Sequence, residues 1–109
     1  MKPVAIASLS LTELKSVALA VCERHPVARL ELFGSQAAGR MRPDSDVDLL
    51  VEFLPGSKPG LLEMGALQDE LEQRLGRRGD LLSRRAVEKS RNAYRRRSIL
   101  ARPVTLYVR

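Results

Sequence analysis

Two apolar-alternating segments joined by a polar loop constrain the fold of this chain more than any other feature. In Val27-Ala28-Arg29-Leu30-Glu31-Leu32-Phe33, Leu30 and Leu32 alternate with Arg29 and Glu31. That is the period of a strand with one buried face. The run from Asp46 to Phe53 repeats the pattern: Val47, Leu49, Val51 and Phe53 share one face, and Asp46, Asp48, Leu50 and Glu52 the other. Gly34-Ser35 ends the first run, and the loop between carries Gly39 and Pro43. Strands so joined can pair directly as a long hairpin, whereas later strands need helical crossovers.

Helical signals surround this pair. Ser10-Leu11-Thr12-Glu13 has the form of a capping box, and Leu11, Leu14, Val17, Ala18, Val21 and Cys22 follow at helical spacing. Pro26 marks the end of that helix. A breaker cluster, Pro55 to Gly60, precedes a second helix over Leu61 to Leu75, with Met64, Leu67, Leu71 and Leu75 on one stripe and Gly76 as its stop. Gly79 to Ser83 predicts a short strand carrying Asp80. Arg84 to Leu100 predicts a third helical region with a break near Asn92, and Val104, Leu106 and Val108 alternate in a closing strand. The expected fold is α+β: one small domain over 1–109, a mixed sheet of about four strands, and helices packed against it.

Composition narrows the class. With 44% hydrophobic and 29% charged residues, the chain is expected to be globular and soluble rather than disordered. It has two Tyr, two Phe and no Trp, so its core must rely on Leu, Val, Ile and Ala. No apolar run reaches the roughly 18 residues that span a bilayer, and the apolar stretch at 3–7 is too short for a signal-peptide core. No membrane partner is expected, and a cytoplasmic location is. The lone Cys22 lies on an apolar stripe and reads as a buried, inert thiol. Charge is divided unevenly: residues 1–73 hold 7 Lys/Arg against 11 Asp/Glu, and residues 74–109 hold 12 against 2. The basic C-terminal third suits either an anionic partner or a solvated, Arg-rich helix surface.

Asp46 and Asp48 stand out chemically. Asp is depleted in strands, yet two flank Val47 within a strong strand pattern, projecting from one face about 7 Å apart at the backbone. Like charges held so close repel, and a divalent cation relieves the conflict by taking oxygen ligands from both. The plain alternative is a turn at Pro43-Asp44-Ser45-Asp46 with Asp48 at a frayed strand start. Gly34-Ser35, at the end of the preceding strand, can offer backbone amides and a hydroxyl to an anion, or can be an ordinary turn. Together the two features suit a triphosphate resting on amides with Mg²⁺ bridging its oxygens to the aspartates. A third carboxylate, Asp80, would allow two metals in one site and could take a proton from an attacking hydroxyl; taken alone it reads more often as a turn residue.

Gly34-Ser35, ten intervening residues and Asp46-Val47-Asp48 match the G-S-x10-D-x-D signature, whose four fixed residues arise by chance in about one chain per thousand of this length. The runs Phe33 to Arg40, Ser45 to Val51, Gly76 to Leu82 and Ile99 to Tyr107 extend the likeness over nearly the whole chain. It resembles the minimal nucleotidyltransferase (MNT) family of the polymerase-β-like nucleotidyltransferase superfamily. That resemblance implies transfer of a nucleoside monophosphate, AMP from ATP, to a hydroxyl, with two Mg²⁺ ions. It also implies that the acceptor is a tyrosine of a HEPN-type ribonuclease toxin, with this chain as the antitoxin and a homo- or hetero-oligomer as a further expectation. Carried over by position, Gly34 and Ser35 hold the triphosphate, Asp46, Asp48 and Asp80 bind metal, and Asp80 activates the acceptor.

Two departures from the family pattern bear on the site. Ala38 stands where many relatives have a phosphate-neutralising Arg, a role that Arg40 or Arg42 could fill. Gly79 precedes Asp80 where relatives carry a β-branched residue, which weakens a strand. Two other function classes remain beside the enzyme: an antitoxin that acts by contact alone, and a nucleic-acid binder using Arg84, Arg85, Lys89, Arg91 and Arg95 to Arg97. The scarcity of aromatic stacking platforms disfavours the last.

Overall fold

The computed structural model describes residues 10–33 and 47–109. Its elements are α1 (Leu11–Cys22), β1 (Val27–Phe33), β2 (Val47–Phe53), α2 (Leu61–Leu75), β3 (Gly79–Ser83), α3 (Arg84–Glu88), α4 (Ala93–Leu100) and β4 (Val104–Val108). The strands form a mixed sheet in the order β3-β2-β1-β4. β1 pairs antiparallel with β2 and with β4, while β2 and β3 run parallel. The expected α+β class and the hairpin of the first two strands both hold. α2 supplies the crossover that a parallel neighbour requires.

Each local element follows from its sequence signals. The capping box forms in full, with the Ser10 hydroxyl accepting from the Glu13 amide and the Glu13 side chain accepting from the Ser10 amide. Gly76 ends α2 in the left-handed conformation, φ 68°, which a residue without Cβ adopts at little cost. The predicted helix over Arg84 to Leu100 is two helices. α3 ends at Glu88, and α4 begins after Asn92, whose side chain accepts from the Arg95 amide at 3.0 Å.

The alternation in β2 sorts its side chains onto two differently covered faces. Val47, Leu49 and Val51 join Leu30, Leu32 and Leu81 beneath α1 and α2, which contribute Leu14, Ala18, Val21, Leu67 and Leu71. Fully burying one such side chain contributes about 1.5–3 kcal/mol, so this layer holds most of the core energy. Leu50 points the other way, into a smaller cluster with Phe33, Val87 and Ile99 beneath α3 and α4. Asp48 and Asp80 share that second face.

The ends of α1 are tied down by charge as well as packing. Arg109 donates to the Cys22 and Glu23 carbonyls, both at 3.3 Å, and so caps the helix from the far end of the chain. His25 lies between Glu63 and Glu70 of α2, with ring nitrogens 3.2 and 3.0 Å from their carboxylates, and Arg24 also pairs with Glu70. Among the described residues no helix is long and apolar enough to cross a membrane.

Candidate active site

β1 ends, and β2 and β3 begin, at one edge of the sheet, because β2 is antiparallel to one neighbour and parallel to the other. The end of β1 and the start of β2 therefore lie at the edge where Asp48 and Asp80 stand. Asp48 faces Phe33 across the antiparallel pair and Asp80 across the parallel pair. Neighbouring strands lie about 4.8 Å apart, so the two carboxylates project side by side from one surface. Asp48 is half-buried, and Asp80, on the edge strand, is exposed.

The site is thus open to a ligand on one side and rigid on the other. Leu50 and Leu82, the next paired positions along β2 and β3, point to the same side as the carboxylates, and Leu50 lies in the smaller apolar cluster with Leu82 packed against it. Asp46, Gly34, Ser35 and Arg40, the other expected site residues, lie outside the described residues. Among the described residues no cluster of three or more His, Cys, Asp or Glu side chains is placed to hold a metal ion. Asp48 and Asp80 supply two hard oxygen donors on adjacent strands, and Asp46 sits two positions before Asp48 in sequence. That donor set fits a divalent cation of the Mg²⁺ type.

Several residues near the site carry roles that the sequence pattern did not reveal. Gln68 and Glu72, one helical turn apart on α2, both bond the peptide groups of Gly79: the Gln68 amide donates to the Gly79 carbonyl at 2.9 Å, and the Gly79 amide donates to Glu72 at 2.6 Å. Gly79 accordingly begins β3 without loosening it. Glu31, which the alternation places on a polar face, is 4% exposed and pairs with Arg84 at the start of α3. The only available signal for that burial was Leu50, an apolar residue on the face otherwise given to charge.

The basic C-terminal third holds cations with structural partners and cations exposed to solvent. Arg84 serves Glu31, and Arg96 donates to the Ser90 carbonyl at 2.6 Å. Arg85, Lys89, Arg91, Arg95 and Arg97 are exposed on α3, α4 and the turn between them. A pocket of about 180 Å³ opens between these helices, floored by Leu82, Val87 and Ile99 and edged by Ser83, Arg95 and Arg96.

Two aspartates presented side by side where an antiparallel and a parallel strand pair meet suit the class of metal-dependent phosphoryl and nucleotidyl transfer. The comparisons with known proteins specify the member. The nucleotidyltransferase domain family matches residues 14–104. The chain is 37% identical over 87 residues to the protein adenylyltransferase MntA of Thermococcus cleftensis, an alignment covering 76% of this chain and 86% of the relative. A Methanocaldococcus jannaschii protein assigned as a protein adenylyltransferase is 34% identical over 79 residues, covering 72% and 83%. A solved structure assigned to the minimal nucleotidyltransferases superposes with a TM-score of 0.67 at 35% identity, covering 88% of this chain and 95% of that one. The fold also matches, at 15% identity and a TM-score of 0.63, a complex of tri-AMPylated Shewanella oneidensis HEPN toxin with MNT antitoxin, covering 92% and 74%. The chain belongs to the nucleotidyltransferase domain family, in its minimal branch, and is an enzyme of that class.

Proposed function

We propose that this protein transfers the AMP moiety of ATP to a hydroxyl of a protein partner, and that the partner is a HEPN-type toxin which the modification restrains. The observation that carries the reading is the paired register of Asp48 and Asp80 at the strand starts, with Gly34-Ser35 and Asp46 shortly before Asp48 in the sequence. The name of the Thermococcus relative and the AMPylated partner in the Shewanella complex support adenylyl transfer and the toxin partner.

In the proposed chemistry the acceptor hydroxyl oxygen, from a tyrosine of the partner, attacks the α-phosphorus. The bond from that phosphorus to the bridging oxygen of the β-phosphate breaks, and pyrophosphate departs in line. Asp80 takes the hydroxyl proton, since its exposed position at the sheet edge admits an incoming side chain. Gly34, Ser35 and Arg40 hold the triphosphate. Asp46, Asp48 and Asp80 would hold two Mg²⁺ ions, which supply charge neutralisation at the leaving oxygens and acidify the attacking hydroxyl. The exposed arginines of α3 and α4 and the pocket between these helices form the surface that meets the partner.

The test is incubation with ATP labelled at the α-phosphate, Mg²⁺ and the product of the neighbouring gene. Label should appear on the partner with the native protein and be lost with Asp46→Asn or Asp48→Asn. A tight complex with no label in any of the three would overturn the transfer reading and leave neutralisation by contact. Labelled RNA in place of labelled protein would overturn the assigned acceptor.

A further inference from the structure

We infer that Gln68 and Glu72 of α2 are positioning residues for Asp80, acting through the Gly79 peptide. The inference rests on the reading of Asp80 as a site residue. Among the described residues β3 is an edge strand, paired with β2 on one side. The Val47 amide donates to the Arg78 carbonyl at 3.0 Å, so the pairing of the parallel ladder runs through alternate residues of the incoming strand, and Gly79 directs its own N–H and C=O away from β2. An edge residue in that orientation ordinarily leaves both groups to water. Here both are taken by side chains of one helix. Gln68 and Glu72, spaced i and i+4, lie on one row of α2, and the left-handed Gly76 turns the chain back so that Gly79 meets that row.

The consequence falls on the next residue. With the peptide units on both sides of Gly79 pinned, one at its N–H and the other at its C=O, the backbone of Asp80 loses the freedom to twist away from Asp48, its partner in the register. A Cβ at position 79 would lie 3.4 Å from the Val47 carbonyl and 3.7 Å from Glu72 Cγ, both ordinary van der Waals contacts, so the two hydrogen bonds and not the lack of a side chain do the pinning. A side chain that orients a ligand from behind typically changes metal affinity or activity 10–100-fold when removed. α2 therefore belongs to the site as well as to the core.

The experiment measures Mn²⁺ affinity by electron paramagnetic resonance in the presence of a non-hydrolysable ATP analogue, together with amide exchange over 78–82. Glu72→Ala and Gln68→Ala should each weaken Mn²⁺ binding about 10-fold and accelerate exchange over 78–82. Glu72→Gln keeps an acceptor oxygen for the Gly79 amide and should restore native affinity, whereas Gln68→Glu removes the donor and should not. Asp80→Asn supplies the reference. Unchanged binding in Asp80→Asn would remove Asp80 from the site and with it the underlying reading. A loss in Asp80→Asn with native affinity in both alanine variants would overturn the positioning role alone, as would failure of Glu72→Gln to restore affinity. Should Glu72→Ala not fold, the Gln68 pair decides the matter.

Discussion

Asp48 and Asp80 are register partners on adjacent parallel strands, although 31 residues separate them in the sequence and a helix intervenes. Pairing puts two carboxylates about one inter-strand spacing apart on a surface that α3 and α4 cover only further along the strands. Such an arrangement is costly for folding alone and useful for holding cations against phosphate. Asp80→Asn should lower the rate of AMP transfer by at least about 100-fold, the range for loss of a general base. Asp48→Asn should be at least as severe. Both should retain native circular dichroism, since neither side chain sits in the apolar clusters. Initial rates of label incorporation at saturating ATP and Mg²⁺ provide the measurement.

Much of this was legible because local signals agreed with the global fold. The boundaries of the first hairpin strand, of α2 and of β3 follow from alternation and from Gly76, where short-range chemistry decides. The pairing of Asp48 with Asp80 was not legible, because register between strands separated by a crossover depends on how α2 packs. The same reason hid Gln68 and Glu72, which lie beside the apolar stripe and look like solvent positions until β3 is placed against them. Glu31 was misleading in the opposite sense. Its alternation with Leu30 and Leu32 is that of a water-facing residue, and only the packing of α3 over that face turns it into a buried anion.

That buried anion makes a second prediction. Glu31 is enclosed and Arg84 nearly so, with side-chain exposures of 6% and 20%. Removing the cation alone leaves a carboxylate in an apolar setting, and Arg84→Met should cost about 3 kcal/mol in urea unfolding, near the lower end for broken buried pairs because Arg84 keeps some solvent and also meets Glu88 at 3.4 Å. The double variant Glu31→Leu/Arg84→Met should recover most of that loss, since no uncompensated charge remains. Equal losses in the single and double variants would mean that the contribution of Arg84 is packing rather than charge.

Helix α4, which borders the proposed partner surface, is held by few contacts of its own. It has eight residues, Ile99 is its one buried side chain, and three consecutive arginines occupy its middle. A helix this short does not persist on propensity alone, so the Asn92 cap carries unusual weight. Asn92→Ala should cost about 1 kcal/mol and should accelerate amide exchange in 93–100 well before exchange in α2 changes. Asn92→Ser and Asn92→Asp, which keep an acceptor oxygen, should behave as the native protein does.

Cys22 gives a prediction with a definite pH signature. The thiol is fully buried at the end of α1, and burial pushes its pKa from 9.0 up to about 12, with the nearby Arg109 charge opposing part of the rise. At pH 8 the folded protein therefore holds only about one thiolate in ten thousand molecules, and a disulfide reagent should label Cys22 at the rate of global opening. The stability effect has one sign. Below pH 9 the thiol is protonated in both states and contributes no slope. Between pH 9 and 12 the unfolded chain releases its proton while the folded chain retains it, so stability falls as pH rises, by up to about 1.4 kcal/mol per pH unit from this group. Cys22→Ala should lose about 1 kcal/mol at pH 7 through the vacated volume and should show a shallower decline above pH 9. The difference between the two unfolding curves isolates the contribution of the thiol. Parallel curves would show that Cys22 reaches solvent or a compensating charge in the folded state.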